Sequence, residues 1–279
     1  MVTREPGFII WLRRVALRRR PVLYHFEVHV VDHCNLNCRG CAHFSNLCPP
    51  TFADLREFEI DMECMAGIFS QVKQIHLLGG EPLLHPQVGE FCRVARAHFP
   101  KTRISLVTNA TLVMQMNDGF WKALHDNNII LHCNSYPIDL RVADINLKAA
   151  ASHVRIEWTL PGKQLLKIPI DSAGGHDAAS SFKHCRGLNN RPIVRSGRLY
   201  PCAYIAFADV FCDTFGVRGL DVYPTDYIGI RGNPDPEQVF AFLRDPVHWC
   251  TNCDMDNREP YDWARSSCDI TEWTTAPSR

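Results

Sequence analysis

The sequence lacks a net charge, a long apolar run and a recognisable export signal. Lysine plus arginine and aspartate plus glutamate number 30 each in 279 residues, so the charge balance gives no reason to expect a nucleic-acid partner. No run approaches the roughly 18 apolar residues of a membrane span. The apolar stretch 8–12 is too short for a signal peptide, and most of the nearby arginines follow it. We therefore expect a cytoplasmic protein without a transmembrane segment.

Cysteine, in contrast, is abundant, with 13 residues. In a reducing compartment such thiols bind metals more often than they form disulfides. Cys34, Cys38 and Cys41 have the spacing C-x3-C-x2-C, directly after the extended, apolar-rich stretch 24–31. Three thiolates can hold a 4Fe-4S cluster and leave one iron free for an external molecule, whereas a closed zinc site needs a fourth ligand. His33 or His43 is near enough in sequence to complete a zinc knuckle, which is the alternative.

A glycine turn, Gly79-Gly80-Glu81-Pro82, follows a second predicted strand about forty residues later. Glycines let the backbone approach a ligand closely, and exposed carbonyls, with Glu81 nearby, can accept hydrogen bonds from an ammonium group. The cysteine triplet followed by this GGEP turn resembles the radical S-adenosylmethionine (SAM) superfamily. A zinc knuckle does not predict the second turn, so we favour the resemblance.

The resemblance implies a defined chemistry. The free iron of the cluster binds the amino and carboxylate groups of SAM, and an electron from the cluster cleaves SAM to a 5′-deoxyadenosyl radical, which takes a hydrogen atom from the substrate. It also implies a small-molecule substrate and an external electron donor such as flavodoxin or ferredoxin.

The resemblance also implies further contacts to SAM. Ser105 and Asn109, near the end of the third predicted strand, are candidates for polar contacts, although Asn109 can also be read as a helix cap. Most family members have an aromatic residue before the third cysteine, beside the adenine, where this sequence has Gly40. We expect His43 or Phe44 to take over that contact.

Strands and helices alternate through the first two thirds of the chain. This alternation predicts a parallel sheet covered by helices, an α/β fold. With a possible sixth strand at 167–170, it fits the partial (β/α)6 barrel that the resemblance implies. The predicted strands are 24–32, 74–78, 103–108, 129–135 and 154–159, and the predicted helices are 58–69, 86–98, 119–127 and 139–151.

Three domains are expected. Residues 1–22 carry a basic helix at 11–20, which either caps the barrel or contacts an acidic partner. Residues 23–181 form the radical SAM barrel, and residues 182–279 form a small auxiliary module. Polar residues alternate with apolar ones in several barrel strands, which suggests a ligand-holding lumen rather than a dry core. His132, Arg155 and Glu157 are the candidates there for substrate binding or proton transfer.

Four further cysteines form a second constellation in the C-terminal third. They resemble the shortened auxiliary-cluster module called twitch, in which four cysteines hold one further 4Fe-4S cluster. Zinc bound by four thiolates is the alternative. The residues are Cys185, Cys202, Cys250 and Cys253.

Within the superfamily, the cysteine layout looks most like alcohol dehydrogenases and related carbohydrate-modifying enzymes. The leading hypothesis is abstraction of hydrogen from a carbinol carbon of a sugar, aminocyclitol or similar metabolite, with the auxiliary cluster accepting an electron. The second is an epimerase in which Cys212 or Cys133 returns a hydrogen atom to the substrate. Peptide maturation is a third, disfavoured because about 23 residues before the first strand are too few for a leader-binding domain. A zinc-stabilised scaffold is the non-enzymatic alternative.

Overall fold

The computed structural model describes residues 20–159, 165–185 and 191–275. The basic helix predicted at 11–20 lies outside these residues apart from Arg20, and so do most residues of the first predicted domain.

Five parallel strands form the centre of the molecule, and each lies beside its neighbour in sequence. This arrangement confirms the α/β fold with a parallel, partial-barrel sheet. The strands are β1 (Val22–Val31), β2 (Gln71–Gly79), β3 (Arg103–Thr108), β4 (Ile130–Cys133) and β5 (Ile156–Trp158).

Helices connect these strands and cover the sheet. The first helix buries Phe58, Met62 and Met65, whose spacing puts them on one face against the sheet. Asp54 caps this helix by accepting hydrogen bonds from the backbone N–H groups of Arg56 and Glu57. The helices are α1 (Leu55–Ile68), α2 (Val88–His98), α3 (Asp118–Asp126) and α4 (Val142–Ala151), with 3-10 turns at Pro82–Leu84 and Val113–Gln115.

The sixth strand predicted at 167–170 is wrong as a barrel strand. Instead, β6 (Leu165–Lys167) pairs antiparallel with β10 (Glu259–Tyr261) in a separate two-stranded sheet. The main sheet continues at its other edge, where β7 (Ile193–Arg195) pairs with β1 in parallel. There the backbone N–H of Glu27 donates to the carbonyl of Pro192 at 2.8 Å. β7 thus forms hydrogen bonds with the edge of β1 to which a strand closing the barrel would otherwise pair.

The remaining elements divide between the main sheet, which strands 198–200 and 228–229 extend beyond β7, and a second hydrophobic core. That core contains Tyr204, Phe211, Trp249 and Trp273 from the C-terminal third, together with Phe44 from the loop after β1. This shared packing holds the C-terminal cysteines beside the carboxyl ends of the barrel strands. The elements are α5 (Ala178–Cys185), β8 (Arg198–Tyr200), α6 (Ala203–Ala206), α7 (Ala208–Phe215), β9 (Ile228–Gly229) and α8 (Pro236–Phe242), with 3-10 turns at His248–Asn252 and Ile270–Glu272.

In the part of the chain that the structure describes, no helix combines the length and the apolar character that crossing a bilayer requires.

Candidate functional site

The cysteine loop packs directly against the GGEP turn. The backbone N–H of Gly80 donates to the carbonyl of Val31 at 2.8 Å, and that of Glu81 donates to the carbonyl of His33 at 3.1 Å. A Cβ atom at Gly79 or Gly80 would lie 2.0 Å from one of these two carbonyl oxygens. Any side chain at either position would push the two segments apart, so the glycines set the position of the cysteine loop.

The side chain of Glu81 stabilises the turn through hydrogen bonds in the protein interior. It is completely buried and accepts hydrogen bonds from Thr108 Oγ1 at 2.7 Å and from the backbone N–H groups of Asn109 at 2.8 Å and Leu83 at 3.0 Å. Burial raises the pKa of Glu81 to about 7, although these hydrogen bonds oppose the shift. The carboxyl group of Glu81 is therefore enclosed by the turn and the end of β3, and the predicted contact of this turn with SAM remains a prediction for its backbone carbonyls. Pro82 is also buried, and it opens the turn Pro82–Leu84.

Asn109 and Ser105 lie at different depths on β3. Asn109 Nδ2 donates to Asn35 Oδ1 at 2.8 Å and lies 3.7 Å from Cys34 Sγ, so it joins the strand end to the cysteine loop. Ser105 is fully buried four residues earlier, about 13 Å along the strand, and its Oγ has no hydrogen-bond partner among the described residues. The two residues do not form one binding surface.

The three N-terminal thiols are held by N–H groups directed at sulfur. The backbone N–H of Leu36 donates to Cys34 Sγ at 3.4 Å, and the indole Nε1 of Trp263 donates to Cys38 Sγ at 3.1 Å. Burial raises the pKa of Cys34 to about 12 and that of Cys38 to about 11 when they are thiols. Such donors suit sulfur ligands that bear negative charge on a metal centre. Sequence analysis missed Trp263, because nothing in a single tryptophan more than two hundred residues away predicts this contact.

An aromatic ring from the C-terminal segment occupies the space above Gly40. A Cβ atom at Gly40 would lie 2.9 Å from Tyr261 Oη, which donates to the carbonyl of Arg39 at 3.0 Å. Gly40 also has a φ of +59°, which favours glycine. Tyr136 is half-buried near the three cysteines and contacts the ring of Trp263, with ring centroids 5.9 Å apart.

The two residues expected to replace an aromatic at position 40 lie elsewhere. Phe44 is fully buried in the second core and stacks on Tyr204, with ring centroids 5.4 Å apart, so the expected adenine contact from Phe44 is wrong. Its hydrophobic contacts there exclude solvent and cofactor alike. His43 instead joins a chain of hydrogen bonds, in which its Nδ1 lies 2.8 Å from His29 Nε2, and His29 Nδ1 lies 3.0 Å from Asp32 Oδ1.

The electrostatics of this chain keep the inner histidine neutral and the acid ionised. Burial lowers the pKa of His43 to about 4. Burial also acts to raise the pKa of Asp32, but the hydrogen bond from His29 and the nearby Arg195 bring it below its usual value. With Asp32 ionised, His29 donates from Nδ1 and accepts at Nε2 from the Nδ1–H of His43. That leaves Nε2 of His43 as a proton acceptor.

The four C-terminal cysteines surround one small apolar cavity. Cys185, Cys202, Cys250 and Cys253 all line a cavity of about 380 Å³, beside Trp249. Burial raises the pKa of Cys202, Cys250 and Cys253, and the neighbouring thiols raise it further. The residues brought together are those of the second predicted constellation.

The spacing of the thiols bears on which metal centre fits. In a tetrahedral zinc site with Zn–S bonds of 2.3 Å, the sulfur atoms lie about 3.8 Å apart. Among the described residues, only one group of three or more potential ligands has all its ligand atoms within 4.8 Å of one another, and that group contains no cysteine. Wider spacing is what a 4Fe-4S cluster requires, because each thiolate binds a different iron. No three of the described thiols are therefore as close together as the ligands of an assembled tetrahedral zinc site.

A larger cavity lies between β1 and the second cysteine group. It has a volume of about 450 Å³, and its wall includes Glu27 and His43 from the barrel side and Cys185, Cys202 and Cys253 from the auxiliary side. The cavity thus joins the lumen of the sheet to the second cysteine group.

The catalytic residues predicted from sequence do not line this cavity. Glu157 forms ion pairs with Arg103 and, at 2.7 Å, with Arg155, while His132 Nδ1 lies 4.0 Å from it. These residues lie on or beside β3, β4 and β5, and the ring of His132 lies 6.1 Å from that of His76 on β2.

The two cysteines proposed as hydrogen donors also lie away from the cavity wall. Cys133 is fully buried in the main core, because it alternates with His132 and so faces the opposite side of β4. Cys212 is half-buried on α7 against the second core. Neither cysteine is among the described residues that line the cavity of about 450 Å³.

Comparison with known proteins agrees with this architecture. Residues 28–156 match the model of the radical SAM superfamily. The GTP 3′,8-cyclase of Chlorobaculum tepidum is 29% identical over 249 residues, which cover 82% of this chain and 73% of that protein. BtrN in complex with AdoMet and 2-DOIA has a TM-score of 0.53 and 17% identity, over 83% of this chain and 93% of that chain. Histidine-tagged anSMEcpe with bound AdoMet has a TM-score of 0.50 and 13% identity, over 84% and 88%.

The solved structures share the fold, and the family model covers the stretch that carries the cysteine triplet and the GGEP turn. Residues 28–156 are therefore identified as a radical SAM domain.

Proposed function

We propose that this enzyme oxidises a carbinol carbon of a small hydroxylated substrate, such as a sugar or aminocyclitol, to a ketone. When bound, SAM and the N-terminal cluster supply a 5′-deoxyadenosyl radical, and a second cluster at the twitch-like cysteine group supplies a one-electron acceptor. The observation that carries the proposal is the cavity of about 450 Å³ that reaches from His43 and Glu27 to Cys185, Cys202 and Cys253. A substrate in this cavity is within reach of a proton acceptor and of the auxiliary cysteine group.

His43 is the general base in this proposal. Oxidation of an alcohol to a ketone removes one hydrogen atom from carbon, one proton from oxygen and one electron, and the carbon–oxygen double bond forms as they leave. With both groups bound, the hydrogen atom would go to the 5′-deoxyadenosyl radical, the proton to His43 Nε2 and the electron to the second cluster. Asp32, through His29, orients the imidazole and stabilises the positive charge that it gains. A histidine kept neutral by burial is already in the form that accepts a proton.

Four cysteines around the auxiliary cavity support the role of electron acceptor. A cluster with a thiolate on every iron has no free iron on which a substrate can bind, so its remaining use is electron transfer. An external protein such as flavodoxin or ferredoxin then both reduces the first cluster and reoxidises the second.

A second candidate is cyclisation of a purine nucleotide. It is favoured by the sequence similarity to GTP 3′,8-cyclase, because the aligned region covers 82% of this chain. The described wall of the cavity argues against a triphosphate, because its one arginine, Arg191, lies 3.4 Å from the carboxylate of Glu27 and is partly neutralised by it. A triphosphate usually requires several cations or a bound metal ion.

One experiment separates these candidates. The anaerobically reconstituted enzyme is incubated with SAM and dithionite, together with either a panel of sugars and aminocyclitols or GTP. We expect 5′-deoxyadenosine and a ketone product that has lost two hydrogen atoms by mass spectrometry. Formation of 3′,8-cyclised GTP would support the second candidate. An epimerised product that carries solvent deuterium without net oxidation would replace both with an epimerase.

A further inference from the structure

Three side chains in the lumen of the sheet bring potential metal ligands together. His25 Nε2 lies 3.3 Å and His76 Nδ1 lies 3.7 Å from Glu27 Oε1, and the three ligand atoms all lie within 4.8 Å of one another. None of the three belongs to either cysteine group. We propose that His25, Glu27 and His76 bind a divalent transition-metal ion, separate from the iron–sulfur clusters.

The site is built on rigid elements. His25 and Glu27 are two residues apart on β1 and share one face of that strand. His76 is the register partner of Glu27 on β2, in the longest strand pair of the sheet. Strand pairing therefore fixes all three positions before any ion binds, which is the arrangement a preorganised metal site needs.

The ligand set matches the preferences of first-row transition ions. Ligand atoms 2.0–2.1 Å from a tetrahedral ion lie about 3.3 Å from one another, close to the separations seen here. Two histidines and one carboxylate leave at least one coordination position for water or substrate, as in many catalytic zinc and non-haem iron sites. The side chains are 13%, 3% and 12% exposed, so a bound ion would be shielded from solvent and would offset the buried charge of Glu27.

A second contact orients one of the ligands. Gln74 lies two residues before His76 on β2, and its amide is 2.6 Å from His76 Nε2. The oxygen and nitrogen of an amide can exchange places, so Gln74 can accept a hydrogen bond from Nε2–H when Nδ1 holds an ion. Metal-bound histidines usually have such a partner on the ring nitrogen that does not face the metal.

Arg191 competes with the ion for the same carboxylate oxygen. Its Nη1 lies 3.4 Å from Glu27 Oε1, so the guanidinium group forms an ion pair with this buried carboxylate. The arginine side chain is 57% exposed, so it can turn into solvent at small cost when an ion arrives. This competition separates two cases. If the three residues bind a metal ion, removing Arg191 strengthens binding of that ion; if they form only an ion-pair cluster, removing Arg191 weakens the cluster.

Glu27 connects the metal site to the substrate cavity. It lines the cavity of about 450 Å³ together with His43, so an ion bound to Glu27 lies at the edge of that space. Its open coordination position suits a hydroxyl, carboxylate or phosphate oxygen of a molecule bound there. Metal binding itself does not depend on which reaction the enzyme performs.

Cobalt(II) titration of the holoprotein tests the proposal. With iron–sulfur clusters in both cysteine groups, the thiols are occupied, and added Co²⁺ is followed by elemental analysis and by the d–d absorption of a nitrogen- and oxygen-bound ion. We expect one Co²⁺ per chain, at least tenfold weaker binding in Glu27→Gln and His76→Gln, and unchanged binding in the control His125→Gln, an exposed histidine on α3. Arg191→Ala should bind cobalt more tightly than the wild type.

The outcomes that overturn the proposal are equally specific. The proposal fails if the wild type binds no more Co²⁺ than the double variant His25→Gln/His76→Gln. It also fails if Arg191→Ala binds Co²⁺ more weakly than the wild type. Thermal unfolding of each variant without cobalt identifies any that fail to fold, and Gln74→Ala, which keeps all three ligands, should still weaken binding if the ion is there. Because the readout is metal binding, failure of the proposed oxidation leaves this test unaffected.

Discussion

The indole Nε1 of Trp263 donates a hydrogen bond of 3.1 Å to Cys38 Sγ, across 225 residues of sequence. The C-terminal segment therefore takes part in the environment of the N-terminal cysteine loop. Two further contacts support this, from Tyr261 to the carbonyl of Arg39 and from Asn37 Nδ2 to the carbonyl of Ser266 at 3.0 Å.

Replacing Trp263 by phenylalanine should make the reduction potential of the SAM-binding cluster more negative. The lost N–H group stabilises negative charge on sulfur, and that charge is greater in the reduced cluster. A hydrogen bond of about 1.4 kcal/mol corresponds to about 60 mV for one electron, which is an upper limit for the shift. The potential is measured by redox titration followed by EPR. Trp158→Phe is the control, because its indole donates to Asn146 instead, and an equal shift in both variants would contradict the assignment.

Gly80→Ala should destabilise the protein and impair loading of the first cluster. The added Cβ would lie 2.0 Å from the carbonyl oxygen of His33, so the cysteine loop must move. Overpacking of this kind costs about 1–3 kcal/mol. Gly67→Ala is the matched control, since nothing lies within 4 Å of a Cβ there and alanine should stabilise α1 by about 0.5–1 kcal/mol. Chemical denaturation and iron analysis measure both effects, and similar behaviour of the two variants would refute the close approach.

His43 should make folding stability depend on pH. Its folded-state pKa of about 4 lies below the ordinary value of 6.5, so the unfolded chain binds more protons between these values. Stability contributed by His43 is then fully present above pH 6.5 and is lost as the pH falls towards 4. From pH 7 to pH 5 the wild type should lose about 2 kcal/mol that His43→Gln does not lose. Denaturation at several pH values measures this, with His125→Gln as control. Equal pH dependence in the wild type and His43→Gln would show that His43 is not held neutral.

Cys202→Ala should remove one of two clusters. Iron should fall from about eight to about four per chain, while SAM cleavage to 5′-deoxyadenosine continues and ketone formation stops. Cys64→Ala, a half-buried cysteine on α1, should keep the full iron content. The reading of the second group as an iron–sulfur site fails if the reconstituted wild type contains zinc there, or if Cys202→Ala keeps its iron.

Sequence alone was enough for the features that depend on local pattern. The C-x3-C-x2-C spacing identified the first cysteine group, and the alternation of strands and helices predicted the parallel sheet, because these signals lie within a few residues of one another. The second group, spread from 185 to 253, was identified through its resemblance to a known module. The GGEP turn was also predicted from its glycines, and contact with the carbonyls of Val31 and His33 explains why they are needed.

Contacts between distant segments were decided only by the tertiary structure. The sixth strand at 167–170 was expected in the barrel, but Tyr261 and its neighbours in β10 offered β6 an antiparallel partner, while β7 took the open edge of β1. Phe44 was taken into the second core by aromatic partners from the last third of the chain. Strand partners and core neighbours depend on which surfaces meet after the chain has folded, and no local window of sequence contains that information.

The sequence by itself therefore determined the two cysteine groups predicted to bind clusters and the fold that carries them. The tertiary structure decided the rest: the chain from Asp32 through His29 to His43, the triplet of His25, Glu27 and His76, and the cavity that joins both to the second cysteine group. The physical reason is that the first three cysteines lie within eight residues of one another, whereas the histidine chain and the cavity wall are assembled from strands and loops whose proximity arises only through long-range packing.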